Sequence, residues 1–233
     1  MTEIDKFEFL VLGSGEAGKY LAWTMAKAGR RTAVVERRWI GGSCPNIACL
    51  PSKNVIWSAK VASLSERGPE FGLPSASTVD MAAVRGRKRK MVEGLVNVHL
   101  DRYKQSNVQL IMGEGRFVGP KRLEVKTNDG TVRLVEGDRV FLNVGTHAAI
   151  PDIPGLRDAN PLTHIEALEL DRIPDHLIVL GAGYIGLELS QAMRRFGSRV
   201  TVIQRGEQIA SREDSDVGQI GRASCRERVF NWV

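Results

Sequence analysis

One pattern occurs twice in this chain: a short apolar run, a glycine-rich turn, a helical segment and a second apolar run. The turns are Gly13–Gly18 (GSGEAG) and Gly181–Gly186 (GAGYIG). In a GxGxxG turn the first glycine makes a tight bend, the second lets backbone N–H groups approach a pyrophosphate, and the third lets the helix pack closely on the strand. The repeat therefore predicts two dinucleotide-binding units, each built on a parallel sheet.

The residue that ends the second strand differs between the two copies. Glu36 occupies this position in the first copy, where a carboxylate is expected to hold an adenosine ribose hydroxyl. The second copy has Gln204 and Arg205 instead. Without a carboxylate there is no repulsion of a 2′-phosphate, and Arg205 could pair with it, so the sequence favours NADPH, although glutamine could also serve NADH. A flavin and a nicotinamide dinucleotide fit the two turns.

Two cysteines, Cys44 and Cys49, are separated by four residues. They could be metal ligands, buried apolar side chains or a redox couple. The spacing does not match common zinc motifs and no second Cys/His pair accompanies it, so no metal site is expected. In a regular helix the two would lie ~7.5 Å apart along the axis, too far for a disulfide. We therefore expect a distorted first turn, which Pro45 and Pro51 suit, and favour the redox couple.

Turn and strand signals predict how the rest of the chain is organised. Asp129–Gly130 separates two alternating segments, 123–126 and 132–135, and favours an antiparallel hairpin. A strand at 139–144 follows, and a proline-rich connection comes after it. The predicted fold is α/β: a Rossmann-like FAD-binding domain with a parallel sheet and an antiparallel β-meander, then a truncated second Rossmann-like NAD(P)-binding domain. The expected boundaries are 1–150, a connection at 151–175, 176–219, and a tail at 220–233.

Composition limits the function classes. The 233 residues are 42% hydrophobic and 26% charged, as in a globular protein. The sequence has neither a secretory signal nor ~20 consecutive apolar residues, so a cytoplasmic protein without membrane contact is expected. The net charge is +6, and its clearest basic run is 85–90 (RGRKRK). No aromatic residue interleaves with these charges, so we interpret the run as a solvated helix start and not as a nucleic-acid site.

The motifs together resemble the pyridine nucleotide-disulfide oxidoreductases, and the resemblance extends to about Gly218. The matching segments are Gly41–Cys44, Asn46, Cys49, Pro51–Lys53, Asn143–Thr146 and Gly181–Glu188. The resemblance implies an enzyme that passes electrons from NAD(P)H through FAD to a Cys44–Cys49 disulfide, and on to a disulfide or another small thiol-reactive acceptor.

The resemblance also implies roles for individual residues. Cys49 would be the thiol that adjoins the flavin, and Cys44 the interchange thiol that attacks the acceptor. Lys53 would pair with Glu188 beside the reactive edge of the flavin, and Tyr184 would gate the nicotinamide pocket. The positions expected to bind cofactor are Gly13, Gly15, Gly18, Glu36, Gly42, Ser43, Lys53, Gly145, Thr146, Gly181, Gly183, Tyr184, Gly186, Gln204 and Arg205.

Departures from the family pattern limit the assignment. Pro45 and Ala48 differ from the residues that most members carry at these positions. Together they make the chain resemble a mercuric-reductase-like branch, but they do not identify the acceptor. The family's catalytic histidine and dimerisation domain belong to a chain about twice this long, so we expect activity from a longer homodimeric protein. The alternatives are a dihydrolipoamide dehydrogenase, running from dithiol to NAD, and a redox-inert flavin-binding module.

Residues 220–229 (IGRASCRERV) look like a translated sequencing adapter, so a non-native tail is expected.

Overall fold

The computed structural model describes residues 3–74 and 78–218, and the backbone of 228–232. These residues form two compact units that interleave along the sequence. One contains residues 1–51 and 90–153, and the other contains 52–89 and the residues from 154 onward. Most of the expected tail, at 220–227 and 233, lies outside the described residues.

The described part of the chain contains eight strands, six α-helices and one 3₁₀ helix. The strands are β1 (Ile4–Leu12), β2 (Thr32–Glu36), β3 (Gln109–Gly119), β4 (Arg122–Thr127), β5 (Val132–Leu142), β6 (His176–Leu180), β7 (Arg199–Arg205) and β8 (Arg228–Trp232). The helices are α1 (Glu16–Lys27), α2 (Ser43–Asn46), α3 (Cys49–Glu66), α4 (Met81–Gln105), α5 (His164–Ala167) and α6 (Tyr184–Arg195), with a 3₁₀ helix at Gly68–Phe71.

The first unit is built on five strands that close on themselves. β1 lies parallel to β2 and to β5, β2 lies parallel to β3, and β3, β4 and β5 form an antiparallel meander. The predicted hairpin is confirmed, since Leu123 of β4 faces Val135 of β5. The two strands expected at 132–135 and 139–144 form the single strand β5, and β3 had no counterpart in the sequence prediction.

Apolar side chains fill both faces of β1 and β2. Leu10 and Val35 point into the closed sheet and pack with residues of β3, β4 and β5. Val11 and Val34 point the other way, where α1 and the C-terminal part of α4 cover them with Trp23 and other side chains. Burial on two faces explains why these strands read as continuous apolar runs without alternation.

The second unit contains a three-stranded parallel sheet in the order β6-β7-β8. Helix α6 packs on this sheet through Met193 and through Phe196, the residue that caps its C-terminus, and both lie in one apolar cluster with Val200 and Val202. The same cluster includes Val55 of α3. Among the described residues, no helix combines the length and the apolar character needed to cross a membrane.

The basic run at 85–90 differs from its prediction. It lies inside α4, which begins at Met81, and Lys88 is only 2% exposed. The Lys88 ammonium and the Arg89 guanidinium both contact Glu169. Burial opposes ionisation of this carboxyl, but the two cations hold the pKa of Glu169 below its ordinary value. The interpretation as a solvated helix start therefore holds for the exposed positions 86, 87, 89 and 90 but is wrong for Lys88, which packs against the segment that follows α5.

Candidate functional site

The first glycine-rich turn is held by the buried carboxylate of Glu36, which is 7% exposed. Oε2 accepts hydrogen bonds from the backbone N–H of Ser14 at 2.9 Å and from its hydroxyl at 2.7 Å. Oε1 accepts from the backbone N–H groups of Arg38 at 2.8 Å and Trp39 at 2.9 Å. These four bonds fill the acceptor capacity of a carboxylate. The ribose contact expected of Glu36 stays a prediction, and it requires one of these bonds to give way.

The loop after β2 packs directly on this turn. The hydroxyl of Ser14 accepts a hydrogen bond from the Gly41 N–H at 3.0 Å. Gly42 has φ +82°, and a Cβ atom there would overlap the Cα of Gly15. On the opposite side, a Cβ on Gly15 would lie 2.7 Å from Nδ2 of Asn143, just after β5. Backbone thus approaches backbone at a distance that only glycine allows.

This loop leads straight to the two cysteines. Helix α2 contains Cys44 and ends at Asn46, Ile47 leaves the helical conformation at φ −136°, and α3 begins at Cys49. The distorted turn predicted from the cysteine spacing is therefore confirmed. The Asn46 amide donates hydrogen bonds to the carbonyls of Ile40 at 2.8 Å and Gly42 at 2.7 Å, which fixes the loop on the preceding backbone. Sequence reasoning gave Asn46 no role, since its partners are backbone atoms.

Cys44 and Cys49 are both thiols in this structure, the first half-buried and the second exposed. The pKa of Cys44 is raised to about 11, chiefly by burial and then by a hydrogen bond with Cys49 and the charge of Cys49. Glu16 acts in the same direction and Lys19 opposes it. The reduced pair therefore keeps a proton on Cys44 at neutral pH.

The second glycine-rich turn repeats the first at the level of single hydrogen bonds. Gly181 N–H donates to the Ile203 carbonyl at 2.7 Å, as Gly13 N–H donates to Val35 at 2.8 Å. Ala182 N–H donates to Oε1 of Gln204 at 2.8 Å, where the first turn has Ser14 and Glu36. A side chain at the end of the second strand thus closes each turn.

The two turns differ in their surroundings. The third glycines are equivalent, because a Cβ on Gly18 or Gly186 would overlap the carbonyl oxygen of the first glycine of its own turn. A Cβ on Gly183, in contrast, would meet no described atom within 4 Å. Tyr184 follows it and is 73% exposed. Arg205 is also exposed, at the end of β7. The second turn is therefore open where the first is packed.

The other residues that the sequence predicted for the site lie outside the two glycine-rich turns and the cysteine loop. The Lys53 ammonium contacts the Glu188 carboxylate within the second unit, and their position beside a flavin stays a prediction. Gly145 and Thr146 are exposed in the irregular segment after β5. The described residues contain no group of three or more His, Cys, Asp or Glu side chains that could hold a metal ion.

Known proteins resemble most of this chain. The family model for pyridine nucleotide-disulphide oxidoreductases matches residues 7–229. A mercuric reductase of Acidithiobacillus ferrooxidans is 36% identical over 220 residues, which cover 93% of this chain and 40% of that protein. A mercuric reductase of Lysinibacillus sphaericus is 33% identical, with coverage of 98% and 41%. The chain thus spans about 40% of the length of these relatives.

Solved structures agree with the sequence comparison. The Cu(II) complex of the HOCl-induced flavoprotein disulfide reductase RclA from Escherichia coli superposes with a TM-score of 0.81 at 29% identity. The match covers 97% of this chain and 49% of that one. The predicted fold class is confirmed: mixed α/β with a parallel sheet and a Rossmann-type FAD-binding domain. The chain therefore belongs to the pyridine nucleotide-disulphide oxidoreductase family.

Proposed function

We propose that this chain carries the nucleotide-binding and redox-thiol part of a flavoprotein oxidoreductase. The enzyme would use NAD(P)H and FAD to reduce the Cys44–Cys49 pair, and the pair would then reduce a disulfide or another thiol-reactive acceptor. The observation that carries this proposal is the contact of Gly42 with Gly15, because it packs the cysteine-bearing loop on a dinucleotide-binding turn. A redox-inert flavin-binding module has no need of a cysteine pair at this place.

The first turn fits the pyrophosphate of FAD. Helix α1 begins after Gly15, which caps it without a side chain. The first backbone N–H groups of α1 are therefore available to an anion. Gly13, Gly15 and Gly18 would hold the pyrophosphate, and Glu36 would orient the turn. When bound, FAD supplies a two-electron carrier between a nicotinamide and a disulfide.

The second turn fits a nicotinamide dinucleotide in the same way. Gly181, Gly183 and Gly186 would take its pyrophosphate, and Gln204 already closes the turn through Ala182. Gln204 and Arg205 end β7 where an NAD site would ordinarily place a carboxylate, and this favours a 2′-phosphate. NADPH is therefore the proposed donor.

The cysteines would act by thiol–disulfide exchange. Two electrons and two protons convert the Cys44–Cys49 disulfide into two thiols. A Cys44 thiolate then attacks one sulfur of the acceptor disulfide, forms a mixed disulfide and expels a thiolate. Cys49 next attacks the Cys44 sulfur, restores the intramolecular disulfide and releases the second thiolate. The break between α2 and α3 supports this scheme, since it brings the two sulfurs within hydrogen-bonding reach.

The acceptor is proposed only as a class. The relatives carry the names mercuric reductase and disulfide reductase, and both names fit an acceptor that reacts with thiols. The cytoplasmic location and the homodimer stay predictions from the sequence.

Gly42→Ala tests the FAD site. The new Cβ would push the cysteine loop away from Gly15, so we expect FAD to bind at least about tenfold more weakly, a loss of about 1.4 kcal/mol. Quenching of flavin fluorescence measures the affinity. Gly94→Ala is the matched control, because a Cβ there meets nothing within 4 Å, and it should retain the affinity. Equal FAD affinities of the two variants would contradict an FAD site at the first turn and the cysteine loop.

Single cysteine substitutions test the thiol roles in the FAD-loaded chain. Cys44→Ser should leave a Cys49 thiolate against oxidised flavin and produce a long-wavelength absorption band, whereas Cys49→Ser should not. Visible absorption spectra across pH provide the measurement. A band in both variants, or in neither, means that the roles are assigned wrongly.

Arg205→Glu tests the choice of nucleotide. The substitution places a carboxylate where we expect a 2′-phosphate, so NADPH binding should weaken by about tenfold or more while NADH binding changes little. Titration calorimetry with both nucleotides measures the two affinities. Arg212→Glu makes the same charge change at another exposed position and should leave the ratio unaltered. If Arg205→Glu leaves the ratio of the NADPH and NADH affinities unchanged, Arg205 does not contact the 2′-phosphate.

A further inference from the structure

A buried lysine lies beneath the loop that carries Cys44. Lys19 belongs to α1 and is 3% exposed. Its ammonium lies 2.5 Å from Oε1 of Glu16, 2.9 Å from Nε2 of His99 and 3.5 Å from the carbonyl oxygen of Gly41. The sequence offered no signal for this cluster, because His99 lies 80 residues away on α4. A buried ammonium needs partners of this kind to offset its lost hydration.

His99 acts in this cluster as an acceptor. Its Nδ1 lies 2.6 Å from the Leu95 carbonyl oxygen, which can only accept, so Nδ1 carries the proton. Nε2 then offers its lone pair to the Lys19 ammonium. The ring also packs on the cysteine loop, since a Cβ on Gly41 would lie 3.1 Å from it. His99 therefore holds the Lys19 ammonium at the loop.

Three helices near Cys44 contribute charged or titratable groups that affect its thiol. Helix α1 contributes Glu16 and Lys19, α3 contributes Cys49, and α4 contributes His99 to the cluster that holds Lys19. Burial and Glu16 both favour the protonated thiol, and the Lys19 ammonium is the cation that favours the thiolate. The exchange chemistry needs that thiolate.

We propose that Lys19 is a positioning residue that supplies the counter-charge for the Cys44 thiolate, with His99 holding its ammonium at the Gly41 carbonyl. Glu16 opposes Lys19, so the two side chains of one helical turn shift the reactivity of the thiol in opposite directions. This inference rests on the proposed role of Cys44 as the attacking thiol.

The rate of alkylation of Cys44 tests the inference without any cofactor. In the chain with Cys49→Ser and Cys225→Ser, Cys44 is the sole thiol. At pH 8 the rate of reaction with iodoacetamide is proportional to the thiolate fraction of Cys44, which burial still opposes after Cys49 is replaced. Lys19→Met should slow the reaction by about threefold to tenfold, and Glu16→Gln should accelerate it by about twofold or more.

Two further variants complete the experiment. Lys19→Arg retains the charge and should react faster than Lys19→Met, whereas Lys27→Met removes an exposed charge from the last turn of the same helix and should react as the parent does. A loosened loop would accelerate both Lys19→Met and Glu16→Gln, so opposite signs separate electrostatic control from a structural role.

Three results would overturn the inference: Lys19→Met matching Lys27→Met, acceleration by Lys19→Met, or no acceleration by Glu16→Gln. The Glu16 side chain is 53% exposed, so Glu16→Gln should fold even if Lys19→Met does not, and an unchanged or slower rate in it would still overturn the inference. Because neither FAD nor NADPH enters the assay, failure of the proposed function would not alter these rates.

Discussion

The buried carboxylate of Glu36 is the interaction on which the arrangement of the first unit depends. It closes the glycine-rich turn through Ser14 and orders the following loop through the N–H groups of Arg38 and Trp39. The Ser14 hydroxyl then extends the network to Gly41 and so toward the cysteines. Leaving a buried N–H unsatisfied costs about 1–3 kcal/mol, so replacing Glu36 by an apolar residue would release both the turn and the loop. The second unit uses Gln204 in the same position with a single bond to its turn.

Local sequence patterns predicted the parts of the fold that local interactions determine. Both strand–turn–helix–strand repeats, the Asp129–Gly130 hairpin and the break between the cysteines follow from spacing and turn chemistry within a few residues. Pairings between distant segments were not predictable in this way. β3 closes the sheet next to β2 across more than seventy residues, and the ion pair of Lys88 with Glu169 joins positions 81 residues apart. One sequence contains no local signal for such contacts.

In the candidate site, too, the sequence predicted the local motifs but not the contacts between distant residues. Its glycines and cysteines were recognisable because their chemistry requires those residue types at that spacing. Asn46 and Asn143 belonged to the resemblance without an assigned role, and the pair of Lys19 with His99 gave no signal, although each holds the turn or the loop. The raised pKa of Cys44 also could not be read from its motif. It results from burial, from Cys49 and from two opposing charges on α1, which only the folded chain brings to one place.

If the first turn and the adjoining cysteine loop form one FAD-binding surface, bound FAD must protect both segments together. Hydrogen exchange of the 233-residue chain, followed by mass spectrometry with and without FAD, measures this most directly. We expect FAD to slow amide exchange in Gly13–Gly18 and Gly41–Ser43 together, while the turn Gly181–Gly186 exchanges as before. Protection confined to the second turn, or no change in either turn, would contradict the account.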